Sequence, residues 1–173
     1  YCAICDAPLF KGKEVIIAGG GNSAVEAAID VAKLAKNVIV VHRSQFRADQ
    51  VLIDKMMAQA NITIHLESQI LEIYGDTRMR GVKALNKKTN EEFSVEANGI
   101  FIEIGNIPNS DLVKDLVDLN ANQEVLVNRK QETSLPGLYA AGDVTDTPYK
   151  QIIVATAEGA KAALAANEYI NAH

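Results

Sequence analysis

The six residues Gly19-Gly20-Gly21-Asn22-Ser23-Ala24 stand directly behind the apolar run Val15-Ile16-Ile17-Ala18 and open the helix-forming stretch Ala24 to Ala35. A glycine-rich turn between a buried strand and a helix is compatible with few folds. Glycine at the first position, Gly19, permits a tight turn. Glycine at the third, Gly21, lets backbone approach a pyrophosphate, and the small Ala24 at the sixth allows the helix to pack closely on the strand. The helix start adds unpaired N–H groups and partial positive charge, which suit phosphate. All six residues are therefore expected to line a dinucleotide site.

The surrounding pattern extends this unit. Val15 to Ala18 and Val38 to Val41 are continuous β-branched runs suited to a buried parallel sheet, with the helix between them as a right-handed crossover. Ala48 to Ala60, with Val51, Leu52, Met56 and Met57, predicts a second helix whose methionines fill core, and Ile62 to Ile64 predicts the next strand. Gln69 to Tyr74, Met79 to Asn86, Glu92 to Val95 and Gly99 to Ile104 read as an antiparallel meander. The turn cluster Gly105-Asn106-Ile107-Pro108-Asn109 then marks a boundary. Beyond it, Glu124 to Val127 and Gly137 to Ala140 are strand candidates, Gly142-Asp143 is a turn, and Gln151 to Ile170 is an alanine-rich helix. No internal repeat stands out. The expected class is α/β: a Rossmann-like nucleotide-binding domain with a parallel sheet plus an antiparallel meander, followed by about 70 residues too thin for a core of their own.

Composition removes several partner classes. The 173 residues are 48% apolar with a net charge of −5, and no Lys/Arg-rich face points to nucleic acid. Apolar runs such as Gly99 to Ile102 stop at Glu103, far short of bilayer length, and no signal-peptide pattern opens the chain. A soluble cytoplasmic protein without membrane or nucleic-acid partners is expected. Tyr1, rather than Met, begins the sequence, so a fragment is expected too.

Cys2-Ala3-Ile4-Cys5 supplies two thiols at a spacing that closes a small disulfide and exchanges electrons through it. Half a zinc site and inert thiols are the alternatives, and zinc lacks ligands beyond His42, His65 and His173. Asp6 follows Cys5 and is placed to move a proton to or from a thiolate, or else is a solvated turn residue. His42-Arg43-Ser44-Gln45-Phe46-Arg47 begins 23 residues after Gly19, where this fold selects its ribose. No acid stands there. Arg43 and Arg47 suit the 2′-phosphate of NADPH better than the 2′-hydroxyl of NADH, the alternative being a solvated basic loop, with His42 packed at the strand end. Glu26 and Asp30 read as a polar helix face. Phe46, Phe101 and Tyr149 are aromatic groups for stacking or for core.

In this order and spacing, Cys2 to Asp6, the Gly19 to Ala24 loop, the His42 to Arg47 loop and Ala141-Gly142-Asp143-Val144 resemble the low-molecular-weight thioredoxin reductase family of pyridine nucleotide-disulfide oxidoreductases. The resemblance covers essentially the whole chain. Within the family, Cys5 to Lys13, Gly21-Asn22-Ser23, Ala48 to Val51 and Pro148 to Ile153 look more like the flavoprotein subunit of alkyl hydroperoxide reductase, whereas His42-Arg43 leans toward thioredoxin reductase. Ser44 stands where the thioredoxin reductase pattern has a second consecutive arginine, and Ala7 replaces a glycine.

The resemblance implies a homodimeric FAD enzyme whose NAD(P)H domain, here 1 to about 103, is inserted between two halves of an FAD domain. Residues 104 to 173 would be the C-terminal half of that second Rossmann-like domain. Gly105 and Gly142 are counted with the cofactor-binding residues, Asp143 with the ribityl chain, and Gln151 and Ile152 with the flavin ring. Cys5 would face the flavin, Cys2 would attack a partner's disulfide, and Asp6 would be the acid or base. The implied activity carries electrons from NADPH, with NADH second, through FAD to the Cys2/Cys5 disulfide. The acceptor would be a thioredoxin-like protein or a peroxiredoxin-linked one. With the other half of the FAD domain absent, this chain alone is expected to hold FAD poorly and not to turn over. Two further classes compete: a non-catalytic nucleotide-binding module and a metal-binding CxxC module.

Overall fold

The structure is a computed structural model that describes residues 3 to 172. It divides into two compact units, one running to Gly105 and the other from Asn106.

In the first unit a short helix α1 (Ala3–Asp6) leads through a 3-10 turn, Ala7–Phe10, into strand β1 (Glu14–Gly19). Then come α2 (Asn22–Ala32), β2 (Asn37–Val41), α3 (Gln50–Met57), β3 (Ile62–His65), β4 (Ser68–Gly75), β5 (Met79–Asn86), β6 (Glu91–Glu96) and β7 (Gly99–Glu103). Strands β3-β2-β1-β7 form one parallel sheet in that order, and β4-β5-β6 form a separate antiparallel one. The fold is thus α/β with both expected sheets.

Why β1 sits at the centre follows from its composition. Val15, Ile16 and Ile17 are fully buried because a central parallel strand is covered on both faces. Burial of each contributes about 1.5–3 kcal/mol. On one face α2 packs Ala24, Val25, Ala27, Ala28, Val31 and Ala32, small residues at helical spacing, with Glu26 left exposed on the other side. On the opposite face Ile16 and Val41 pack with Val82 and Ala97 of the antiparallel layer.

Four expectations are corrected. Gly99 to Ile104 does not extend the meander: β7 crosses to the parallel sheet and pairs with β1, Val15 opposite Gly99 through Gly19 opposite Glu103. The reason is packing on the first helical layer, since Phe101 is buried and meets the Phe10 ring edge-on, with centroids 5.5 Å apart. The predicted second helix is shorter, Gln50–Met57, and only Met56 is core; Met57 is 65% exposed.

In the second unit, Glu124 to Val127 and Gly137 to Ala140 form only isolated bridges, Val125 with Leu119 and Thr145, and Tyr139 with Glu132. There the backbone is captured by asparagine side chains instead. Asn120 Oδ1 accepts from the N–H groups of Asn122 and Glu124, and Asn128 Oδ1 from those of Lys130 and Glu132. Gln123 and Gln131 both take left-handed φ of 65°. These twin turns expose an eight-residue repeat, Asn-x-x-Gln-Glu at 120 and at 128, that pattern reading passed over. The unit ends in α4 (Ile152–Ala172). Among the described residues no helix is long and apolar enough to cross a membrane.

Candidate functional site

The chain order β3-β2-β1-β7 reverses direction at β1, so the loops after β1 and β7 part at a switch point, the place where open α/β sheets take ligands. A cleft of about 650 Å³ opens there. Its lining brings together Gly19, Gly20, Gly21, Ser23, His42, Arg43, Arg47 and Gly105 of the expected site.

Each glycine of the loop meets a different demand. Gly19 has φ of 152°, and a Cβ there would lie 2.2 Å from the carbonyl oxygen of Glu103 and 2.8 Å from the Ala24 Cβ. Ala24, fully buried, faces inward and not into the cleft. A Cβ on Gly20 would fall 2.3 Å from His42 Cδ2, so this position is reserved for the imidazole. Gly21 is the open one: nothing lies within 4 Å of a Cβ built there, and it caps the start of α2, whose first-turn N–H groups lack intrahelical partners. Asn22 turns away from the cleft. Its amide donates to Asp49 Oδ2 at 3.0 Å and its oxygen accepts from the Asp49 N–H at 2.9 Å, tying the start of α2 to that of α3.

The loop after β2 is held against the glycine turn, because the Arg47 N–H donates to the Gly20 carbonyl at 2.8 Å. His42 is 6% exposed, stacks parallel to Phe46 at 6.2 Å, and lies 3.1 Å from Ser44 Oγ. Burial, and then the charges of Arg47 and Arg43, hold its imidazole below the usual range, so it adds no positive charge at neutral pH. Both arginines are exposed, and neither guanidinium has an ion-pair or hydrogen-bond partner among the described residues. A pair of unpaired guanidiniums beside a glycine turn can chelate a phosphate monoester.

Four polar lining residues, Glu103, Ser68, Gln69 and Lys87, escaped the sequence reading. Glu103 ends β7 beside the glycine turn, where burial pushes its carboxyl above the usual range against a hydrogen bond with the Ser23 side chain. Ser68 and Gln69 come from β4, and Lys87 directly follows β5. No local signal marks these residues; only the β7 crossover and the folding of the antiparallel layer bring them in.

The remaining expected residues lie apart. Cys5 and Asp6 are exposed on α1 and do not line the cleft; Cys2 lies outside the described residues, and no free cysteine occurs among the described ones. Gly142, Asp143, Gln151 and Ile152 belong to the second unit. There Gly142 has φ of 79°, its N–H donates to the buried Glu158 carboxylate at 2.8 Å, and its carbonyl accepts from Thr145 Oγ1 at 2.8 Å. That fixed turn presents Asp143 outward with no side-chain partner among the described residues, and Gln151 and Ile152 are exposed at the start of α4. Phe101 is core, Phe46 supports His42, and Tyr149 is 72% exposed.

Comparison with known proteins gives a consistent picture. Residues 1–159 match the family described as pyridine nucleotide-disulphide oxidoreductase. Over 98% of its length the chain is 45% identical to an alkyl hydroperoxide reductase component of Pseudomonas putida, and 42% identical to a Bacillus subtilis protein named NADH dehydrogenase. It spans about a third of the length of these relatives, 33% and 34%. Among solved structures, thioredoxin reductase from Streptococcus pyogenes matches the whole chain over 57% of its own with a TM-score of 0.88 at 34% identity. The enzyme of the same name from Giardia duodenalis matches 98% of the chain over 57% of its own, with a TM-score of 0.81 at 34% identity.

Proposed function

The chain belongs to the pyridine nucleotide-disulphide oxidoreductase family, and we propose that it is the nicotinamide-binding and disulfide-bearing portion of a flavin-dependent NAD(P)H:disulfide reductase. The observation that carries this reading is the cleft in which an open glycine turn and two unpaired arginines meet.

A dinucleotide fits that cleft because Gly21 leaves room for close backbone approach and the α2 start offers N–H groups to a pyrophosphate. Arg43 and Arg47 bind a 2′-phosphate, which makes NADPH the preferred donor and NADH the second. A flavin fits the second unit in kind: Asp143 offers an unpaired acceptor to polyol hydroxyls, and Gln151 and Ile152 offer a polar and an apolar contact to a ring. Together the two cofactors supply hydride transfer and a two-electron relay. A relay is what the chain requires, since Cys5 and Asp6 do not line the nicotinamide cleft.

At the disulfide the chain's own groups do the chemistry. With both thiols reduced, the Cys2 thiolate attacks a partner's disulfide and releases one partner thiolate, which takes up a proton. The Cys5 thiolate then attacks the Cys2 sulfur and releases the second partner thiolate, so the pair is oxidised as the partner is reduced. Asp6 moves the proton at Cys5. The partner is a thioredoxin-like protein. A second reading, a peroxiredoxin-linked acceptor, is favoured by the relatives named as alkyl hydroperoxide reductase components.

Cys5→Ser in the complete flavoprotein tests the electron path. Bleaching of the flavin by NADPH should stay near the wild-type rate, while disulfide turnover falls by about 10³-fold or more. Turnover retained at wild-type level would refute the path.

A further inference from the structure

We propose that Lys87 is a third cation for the 2′-phosphate, delivered from the antiparallel sheet to the two arginines of the loop after β2. The proposal rests on the reading of the cleft as an NADPH site.

Lys87 is 40 residues beyond Arg47 and follows β5, so nothing local links it to the dinucleotide loops. Yet the fold bolts it to them. Glu67 turns a corner with left-handed φ of 51°, and its carbonyl accepts from the Lys87 N–H at 2.7 Å. At the same corner the Ser68 N–H donates to the His42 carbonyl at 2.9 Å, and the His42 N–H donates to the His65 carbonyl at 2.9 Å. The Gln45 amide donates to Glu67 Oε1 at 2.9 Å, which ties the arginine loop to that corner as well. Ser68 is buried, with its hydroxyl on the Leu66 carbonyl at 2.8 Å. The backbone of Lys87 is therefore fixed relative to Arg43 and Arg47, and all three line the cleft.

Charge supports the same assignment. The Lys87 ammonium, like those of Lys11, Lys13, Lys55, Lys88 and Lys161, reaches no carboxylate among the described residues, and of these lysines it is Lys87 that lines the cleft. Glu67, the acid at the corner, is bonded to the neutral Gln45 amide and forms no ion pair there. The acid that lines the cleft, Glu103, ends β7, two strands from β2 and about 10 Å away at ordinary strand spacing. The β2 end thus holds three unpaired cations. A phosphate monoester near neutral pH carries close to two negative charges and three acceptor oxygens, which three cations match. The pyrophosphate belongs elsewhere, at the glycine turn after β1.

Titration of the chain with NADPH, NADH and 2′,5′-ADP tests this in wild type, Lys87→Ala and Lys87→Arg. Lys87 is exposed, so the substitutions leave the core untouched. Lys87→Ala should weaken NADPH and 2′,5′-ADP by about 10- to 100-fold, the range of one lost charge-assisted hydrogen bond, and NADH by less than about twofold. Lys87→Arg should stay within about threefold of wild type, and the salt dependence of NADPH binding should become shallower in Lys87→Ala. An unchanged NADPH affinity, or equal losses for NADPH and NADH, overturns the proposal. If Arg43→Glu abolishes the preference for NADPH and Lys87→Ala keeps it, Lys87 alone is refuted. If wild type shows no preference for NADPH, the reading of the cleft falls and the proposal with it.

Discussion

Gly19→Ala is expected to destabilise the first unit by about 3 kcal/mol or more, enough to leave much of the chain unfolded at ordinary temperature. Two costs coincide at this residue. Its φ of 152° is one that L side chains rarely adopt, and the added Cβ would sit 2.2 Å from the Glu103 carbonyl oxygen, a backbone atom of the adjoining strand that has no rotamer to yield. Relief requires β7 to move off β1, and with it the buried Phe101 and its contact to Phe10. Gly21→Ala supplies the contrast, since its Cβ meets nothing within 4 Å and its backbone is extended at φ of −92°. Stability should there stay within about 1 kcal/mol of wild type, while dinucleotide binding falls because the open face of the turn is lost. Denaturant midpoints compare the two. A Gly19→Ala chain as stable as wild type would mean that the β1 and β7 backbones are not packed this closely.

Reversing both arginines, Arg43→Glu with Arg47→Glu, should lower NADPH affinity by about 10²- to 10³-fold and change NADH by no more than a few-fold. Each charge-assisted hydrogen bond to phosphate is worth about 1.5–3 kcal/mol, roughly ten- to a hundredfold in affinity, and the new carboxylates add repulsion. The two guanidiniums hold no other partner among the described residues, so the loss is not offset by releasing an internal ion pair, and the fold should be undisturbed. His42 does not replace them, because burial and the adjoining arginines keep it neutral at neutral pH. Calorimetric titration of wild type and variant with each nucleotide reads the difference. Equal losses for both nucleotides would assign the arginines to a part of the ligand that NADPH and NADH share.

What the sequence disclosed was local. The glycine turn, the strand before it and the helix after it are encoded within about twenty residues, and there the continuous apolar run, the 3.6 periodicity and the turn residues agree. The long helix at the end was legible for the same reason. Strand β7 was misplaced because its own five residues say nothing about whether its partner is β6, next in sequence, or β1, 84 residues back; Phe101 and Gly99 decide it by packing on Phe10. Gly20 carries no demand of its own in the fingerprint, and its requirement for glycine arises from the His42 ring. Met56 and Met57 are alike in sequence and opposite in burial, since a helix turns about 100° between them. Glu103 and Lys87 lie 84 and 68 residues beyond Gly19, and only the tertiary fold puts them in the same cleft.

The central claim, that the cleft beside the glycine turn receives a dinucleotide and grips a 2′-phosphate, is tested most directly by calorimetric titration of the unaltered chain. NADPH and NADH are titrated at one moderate salt concentration, where screening of the phosphate charge is the same for both. Saturable binding of both, with NADPH at least about tenfold tighter, is the predicted result. NADH binding as tightly as NADPH, or neither binding to a folded chain, would contradict it.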